Sequence, residues 1–178
     1  MTDVLWFVLA LIVAGVYLSW TAGRLDRLHA RVDGARAALD AQLVRRSAAS
    51  MDLATSGLLD PAAALLIADA AQAARAAEGE DRPPAESDLS RALRAALDQP
   101  EQLDELSSPP QGRLLLAEME AAGRRVIMAR RFHNDAVRAA RALRRKRHVR
   151  YLRLAGHAPA PATFECDDAP PECLAREL

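Results

Sequence analysis

The residues able to do chemistry are few and scattered. Of four histidines, His29, His133, His148 and His157, none has a His or Cys partner three or four positions away, the spacing that would put two metal ligands on one helix face. The two cysteines, Cys166 and Cys173, stand in "CDDAPPEC" with no other ligand-type cluster nearby. Glu118 and Glu120 are two apart and so point in different directions on a helix. The Gly-rich phosphate loop, the GxSxG elbow, HExxH, CxxC and the EF-hand loop are all missing from the sequence. No catalytic, cofactor-binding or metal-binding residue is expected, and no small-molecule substrate suggests itself. One run, "ARRFHNDAV", sets a histidine and an asparagine between a phenylalanine and many arginines. It raises the question whether His133 belongs to a site or fills a packing position.

The elements that must position these residues are helices. Ala and Leu dominate the apolar half of the 178 residues, aromatics make up 4%, and β-branched residues are few beyond the first twenty positions. The stretch Val4 to Trp20 has no charge and carries Trp6 and Phe7 near one end and Tyr17 and Trp20 near the other, the aromatic-belt layout of a transmembrane helix. Extended to Ala22 it approaches the ~20 residues that cross a bilayer. A cleaved signal peptide would need a basic start, and only Asp3 is there. Arg24, Arg27 and Arg31 follow the span directly, which by the positive-inside rule leaves the N terminus outside and the remaining chain in the cytoplasm, with reduced thiols.

Past the span, Leu25, Leu28, Val32, Ala35, Leu39, Leu43 and Leu53 recur at helical spacing, so the anchor is expected to continue as one amphipathic helix to about Ser56. Gly57 supplies a stop, and Asp60 with Pro61 an N-cap and first-turn proline for a second helix. "EGEDRPP", Glu78 to Pro84, reads as a loop, with Ser87 or Asp88 capping a third helix that ends before Pro100. After "SSPPQG", with Ser108 as N-cap, a long final helix carries Leu115, Met119, Ala122, Val126, Ala129, His133, Ala136, Ala140 and Leu143. This is a coiled-coil-like seam. His133 on that seam is expected to be packed with a hydrogen-bonding partner on a facing helix, and Asn134 and Asp135 to point away from it. The fold expected is all-α: an anchor at 1–22, an antiparallel bundle of about four helices at 23–153, and a Pro-rich flexible tail at 154–178, pinned by Phe164.

The net charge is zero but unevenly spread: Glu78 to Glu120 is mostly acidic, while Ala121 to His157 holds one acid, Asp135, among many arginines. Arg45 and Arg46 are expected to be solvated or paired with that acidic segment. Arg144, Arg145, Lys146, Arg147, Arg150 and Arg153 form a denser cluster. It reads either as a solvated helix end complementing the macrodipole or as a contact for anionic membrane lipid. Nucleic acid is not expected as a partner, because aromatic residues hardly interleave the basic ones.

Several segments together resemble the LemA family of bacterial membrane-anchored helical proteins. They are "RVDGARAALDAQLVRR" behind the anchor, "LSRALRAALDQPEQL", and above all "RRVIMARRFHNDAVRAARAL", with a final "FE" at Phe164 and Glu165. The run "ARRFHNDAV" is similar to the family's aRrfYNdaV pattern: Arg130, Phe132, Asn134, Ala136 and Val137 coincide, and His133 stands where tyrosine is usual. The chain departs from the pattern after Arg46 and at Gln99, as a divergent member would. The resemblance implies a single-span protein of the bacterial cell membrane with a cytoplasmic bundle that acts as a scaffold without catalysis. The anchor, the dipolar charge pattern and the lack of chemistry point to binding of another membrane protein or of a second copy, with Arg130, Phe132, His133 and Asn134 as candidate interaction residues. A position open to Tyr or His calls for a flat ring with a polar tip, which favours packing over ligation.

Overall fold

The computed structural model describes residues 1–151 and 160–171, apart from the side chains of Asp3, His148 and Arg150. The chain is an all-α helical bundle. Helix α1 spans Thr2–Thr55 without interruption, 54 residues containing no proline. Its apolar beginning exposes Val4, Trp6, Phe7, Tyr17 and Trp20, and it is long and apolar enough to cross a membrane. From Leu25 onward the pattern becomes amphipathic. Leu25, Val32, Leu39, Leu43 and Leu53 are buried, as their helical spacing dictates.

Helix α1 stops one residue before the expected Ser56, and Gly57 makes the turn with φ 74°, a left-handed conformation that suits a residue without Cβ. Helix α2 (Pro61–Ala76) then begins as its sequence directs: the Asp60 carboxylate accepts from the amides of Ala62 (2.9 Å) and Ala63 (3.1 Å), and Pro61 opens the first turn.

Three boundaries differ from the sequence reading. "EGEDRPP" is not a loop throughout. A single 3-10 turn at Gly79–Asp81 leads into α3 (Arg82–Leu97), which starts before Ser87 and Asp88. Pro83 and Pro84 fit its first turn because backbone N–H groups there lack intrahelical acceptors in any case. An unforeseen helix, α4 (Pro100–Ser107), follows, with Pro100 again opening it; two turns are too short for a periodicity to register. Finally, Ser108 is not the N-cap of the last long helix. Its hydroxyl donates to the Asp104 carbonyl (2.7 Å) and closes α4, while α5 runs Pro110–Arg144 and the short α6 Arg147–Tyr151.

The chain divides into two compact units, each containing part of α1 and part of α5. One comprises Met1–Arg36 and Phe132–Thr163. In it α1 and α5 run antiparallel, Val32 packing with Ala136, Val137 and Ala140, and Leu25 with Leu143 and Val149. The other comprises Ala37–Arg131 and Phe164–Leu178. Its main core draws Leu53 from α1, Ile67 and Ala71 from α2, Leu89, Leu93 and Leu97 from α3, Leu106 from α4, and Met119 and Ala122 from α5. The expected seam on α5 is buried, with Leu115 and Ala129 only partly so.

Helix α4 is tied in at both ends. The Gln102 side-chain oxygen accepts from the Asp60 amide (3.3 Å), and α5 starts so close to the end of α4 that a Cβ built on Gly112 would lie 1.7 Å from the Leu106 carbonyl oxygen. Gly112→Ala therefore must displace backbone and is expected to cost at least about 1–3 kcal/mol, the range of overpacked cores. Gly123→Ala, in the same helix with open space around the position, is expected to gain up to ~1 kcal/mol from helix propensity. Thermal unfolding of the two variants beside the parent checks both signs.

Candidate functional site

The residues singled out by sequence are gathered by α5, in two sets described unit by unit. In the unit holding Arg130, the guanidinium grips Asp168 in bidentate fashion (Nε to Oδ2 2.7 Å, Nη2 to Oδ1 3.1 Å), with Glu165 at 3.7 Å. Arg130 is thus engaged within the chain, as a clamp on the segment after Thr163, rather than offered to a partner. The fork-to-fork geometry is the strong form of a guanidinium–carboxylate contact. Asp168 and Glu165 were not expected as partners, although two acids in a tail facing an arginine-rich helix were a usable signal.

In the other unit His133 is 2% exposed and its Nε2 donates to the Ala162 carbonyl (3.2 Å). The packed, hydrogen-bonded histidine was expected; this partner lies on the extended segment and not on a facing helix. Arg141 holds the same stretch through the Pro161 carbonyl (2.7 Å). Asn134 corrects the sequence reading: it is buried, 4% exposed, and does not point away. The buried stripe of α5 is wider than the expected seam, taking in Asn134 and also Val137, which packs on Val32 of α1. Phe132 remains exposed, at 58%, and Asp135 pairs with Arg138 on the surface.

The segment Ala160–Pro171, expected within a flexible tail, has neither helix nor strand but is packed. Phe164 pins it, as its size suggested: it is 1% exposed among Leu39, Leu43 and Val126. Next to it, Asp167 accepts from Arg94, its amide donates to Ser87 Oγ (3.0 Å), and its carbonyl accepts from Ser90 Oγ (2.6 Å). Arg94 holds the Asp167 carboxyl below the usual carboxylate range. Cys166 is half-buried, and desolvation raises its thiol pKa to about 11. Such a thiol is protonated and a poor nucleophile at neutral pH. Cys173 and residues 152–159 lie outside the described residues.

Beneath this segment is a buried ion pair. Arg46 Nη2 donates to Glu86 Oε2 (2.5 Å) and to the Glu86 carbonyl (2.8 Å), and Nη1 to Ser90 Oγ (3.0 Å). Arg46 pairs with the acidic segment as expected, but deep in the core, Glu86 being wholly buried. Burial pushes the Glu86 carboxyl above the usual range, against the opposing pull of Arg46 and Arg82. Arg45, one position on, is exposed. A cavity of about 30 Å³ beside Arg46, Met119 and Gly123 has room for a water, not for a substrate. No group of His, Cys, Asp or Glu among the described residues is arranged to hold a metal ion.

The basic cluster straddles the break between α5 and α6. Arg144 is partly buried, Arg145, Lys146 and Arg147 are exposed, and the side chain of Arg150 and all of Arg153 lie outside what is described. Compared with known proteins, the chain matches no family model and no curated protein.

Two outcomes follow from the clasped segment and the ion pair. Phe164→Ala is expected to lose about 3–5 kcal/mol, as large buried aromatics do. With Cys173→Ser as background, Cys166 should alkylate at least about tenfold faster once Phe164 no longer pins the segment. Arg46→Met is expected to cost about 3–5 kcal/mol by stranding Glu86. Without the pull of Arg46 the Glu86 carboxyl is raised further and holds its proton more tightly in the folded chain, so the deficit should grow as pH rises above the ordinary carboxylate range. The double variant Arg46→Met/Glu86→Leu should recover much of the loss in urea titrations and lose that slope.

Proposed function

We propose that this chain is a membrane-anchored helical scaffold of the LemA type, without catalytic activity of its own. It crosses a bacterial cell membrane once, with its N terminus outside and its bundle in the cytoplasm, and presents the bundle surface to another membrane protein or to a second copy. The observation that carries this reading is the continuity of α1: one uninterrupted helix is apolar and exposed on all sides at its beginning and supplies bundle core from Leu25 onward. Such a helix holds the bundle against the bilayer, where a surface for membrane partners is useful. The arginines at 24, 27 and 31 support the orientation.

Of the four candidate interaction residues, Arg130, His133 and Asn134 are taken up by internal contacts or burial, which leaves Phe132 as the exposed one. A photo-reactive residue replacing Phe132 in the full chain, in native membranes, is therefore expected to give a discrete protein adduct; no adduct at this or neighbouring exposed positions of α5 overturns the docking role. In intact cells a cysteine replacing Thr2 should react with a membrane-impermeant maleimide. Replacing Arg24, Arg27 and Arg31 by Gln should reduce that labelling.

A further inference from the structure

We propose that the foot of the span is a binding surface for anionic phospholipid headgroups, assembled from α1 and the turn between α5 and α6; it rests on the anchor reading above. The key contact is Leu25 with Leu143 and Val149, all three buried. Leu25 lies three residues past Ala22, the end of the apolar stretch. At 1.5 Å per residue that is ~5 Å along the helix, within the roughly 5–7 Å of headgroup layer on each side of the hydrocarbon core. Residues that pack on Leu25 are therefore carried to headgroup depth. Sequence alone left the height of the cluster open, and the antiparallel packing of α5 on α1 sets it.

Arg24 and Arg27 on α1, and Arg145, Lys146 and Arg147 at the turn, are all exposed there. The acids of residues 23–36 and 132–151 are Asp26, Asp33 and Asp135, and Asp135 already pairs with Arg138. A helix macrodipole accounts for Arg141 and Arg144 in the last turn of α5 and for Arg145, whose amide still donates to the Arg141 carbonyl. It does not account for Lys146 and Arg147, which follow that cap; Arg147 even begins α6, the end where positive charge is unfavourable. Phosphate diesters at the bilayer surface supply the missing anions. Aromatic residues suited to the interface flank the patch: Trp20, whose ring lies 5.9 Å from the Arg24 guanidinium, and the exposed Tyr151.

The test uses the full chain in nanodiscs of phosphatidylcholine mixed with phosphatidylglycerol, with native mass spectrometry reading the lipids retained on the protein. Phosphatidylglycerol is expected to be enriched over its share of the disc. Enrichment should fall up to about fivefold per neutralised charge in Arg145→Gln/Lys146→Gln/Arg147→Gln at low salt, and should weaken with added salt. The exposed arginines Arg45 and Arg75 serve as controls; their Gln variants should leave the enrichment unchanged. Retention of both lipids in proportion to the disc, or equal enrichment in the triple variant with its thermal midpoint preserved, overturns the proposal. A chain that never enters the discs overturns the anchor reading itself, and this one with it.

Discussion

The packing of α5 antiparallel to α1 is the constraint on which the rest of the structure depends. Both units are built on that pair, through Leu25, Val32, Leu39 and Leu43 on one helix and Val126, Ala136, Ala140 and Leu143 on the other. Two of these positions, Ala136 and Ala140, are small, and both pack with Val32. In each unit α5 also meets part of the extended segment 160–171, His133 at Ala162 in one and Arg130 at Asp168 in the other.

That segment changes the meaning of the "RRFHND" run. Arg130 and His133 each hold a part of it, one by a charged fork and the other by a ring nitrogen. These two residues of the run thus satisfy groups of a piece of chain without regular structure, whose backbone has no ladder to bond into. The same need explains Ser87, Ser90 and Arg141, which meet backbone groups of Asp167 and Pro161. Ser90, which meets Asp167, also meets Arg46 of the buried Arg46–Glu86 pair, an ion pair whose burial is costly and tolerated because the guanidinium also meets a carbonyl and a hydroxyl.

The helices were largely legible in advance because a helix of several turns repeats its apolar spacing often enough to be read. The seam on α5, the run from Leu25 to Leu53 and the cap at Asp60 with Pro61 all follow from local rules. The misread places are short or non-periodic. α4 has only two turns, the start of α3 is disguised by two prolines that a first turn accepts, and Ser108 satisfies the helix behind it instead of the one ahead.

The all-α class, an apolar first helix long enough to span a bilayer, and the faces of α1 and α5 that must be buried are therefore written in the chain itself, because they are properties of residue type and spacing along one element. That Arg130 clamps Asp168, that Glu86 meets Arg46, and that the basic turn lies level with Leu25 came only with the folded packing. Each of these joins residues tens to more than a hundred positions apart, and no local periodicity encodes which distant segment closes over a helix flank.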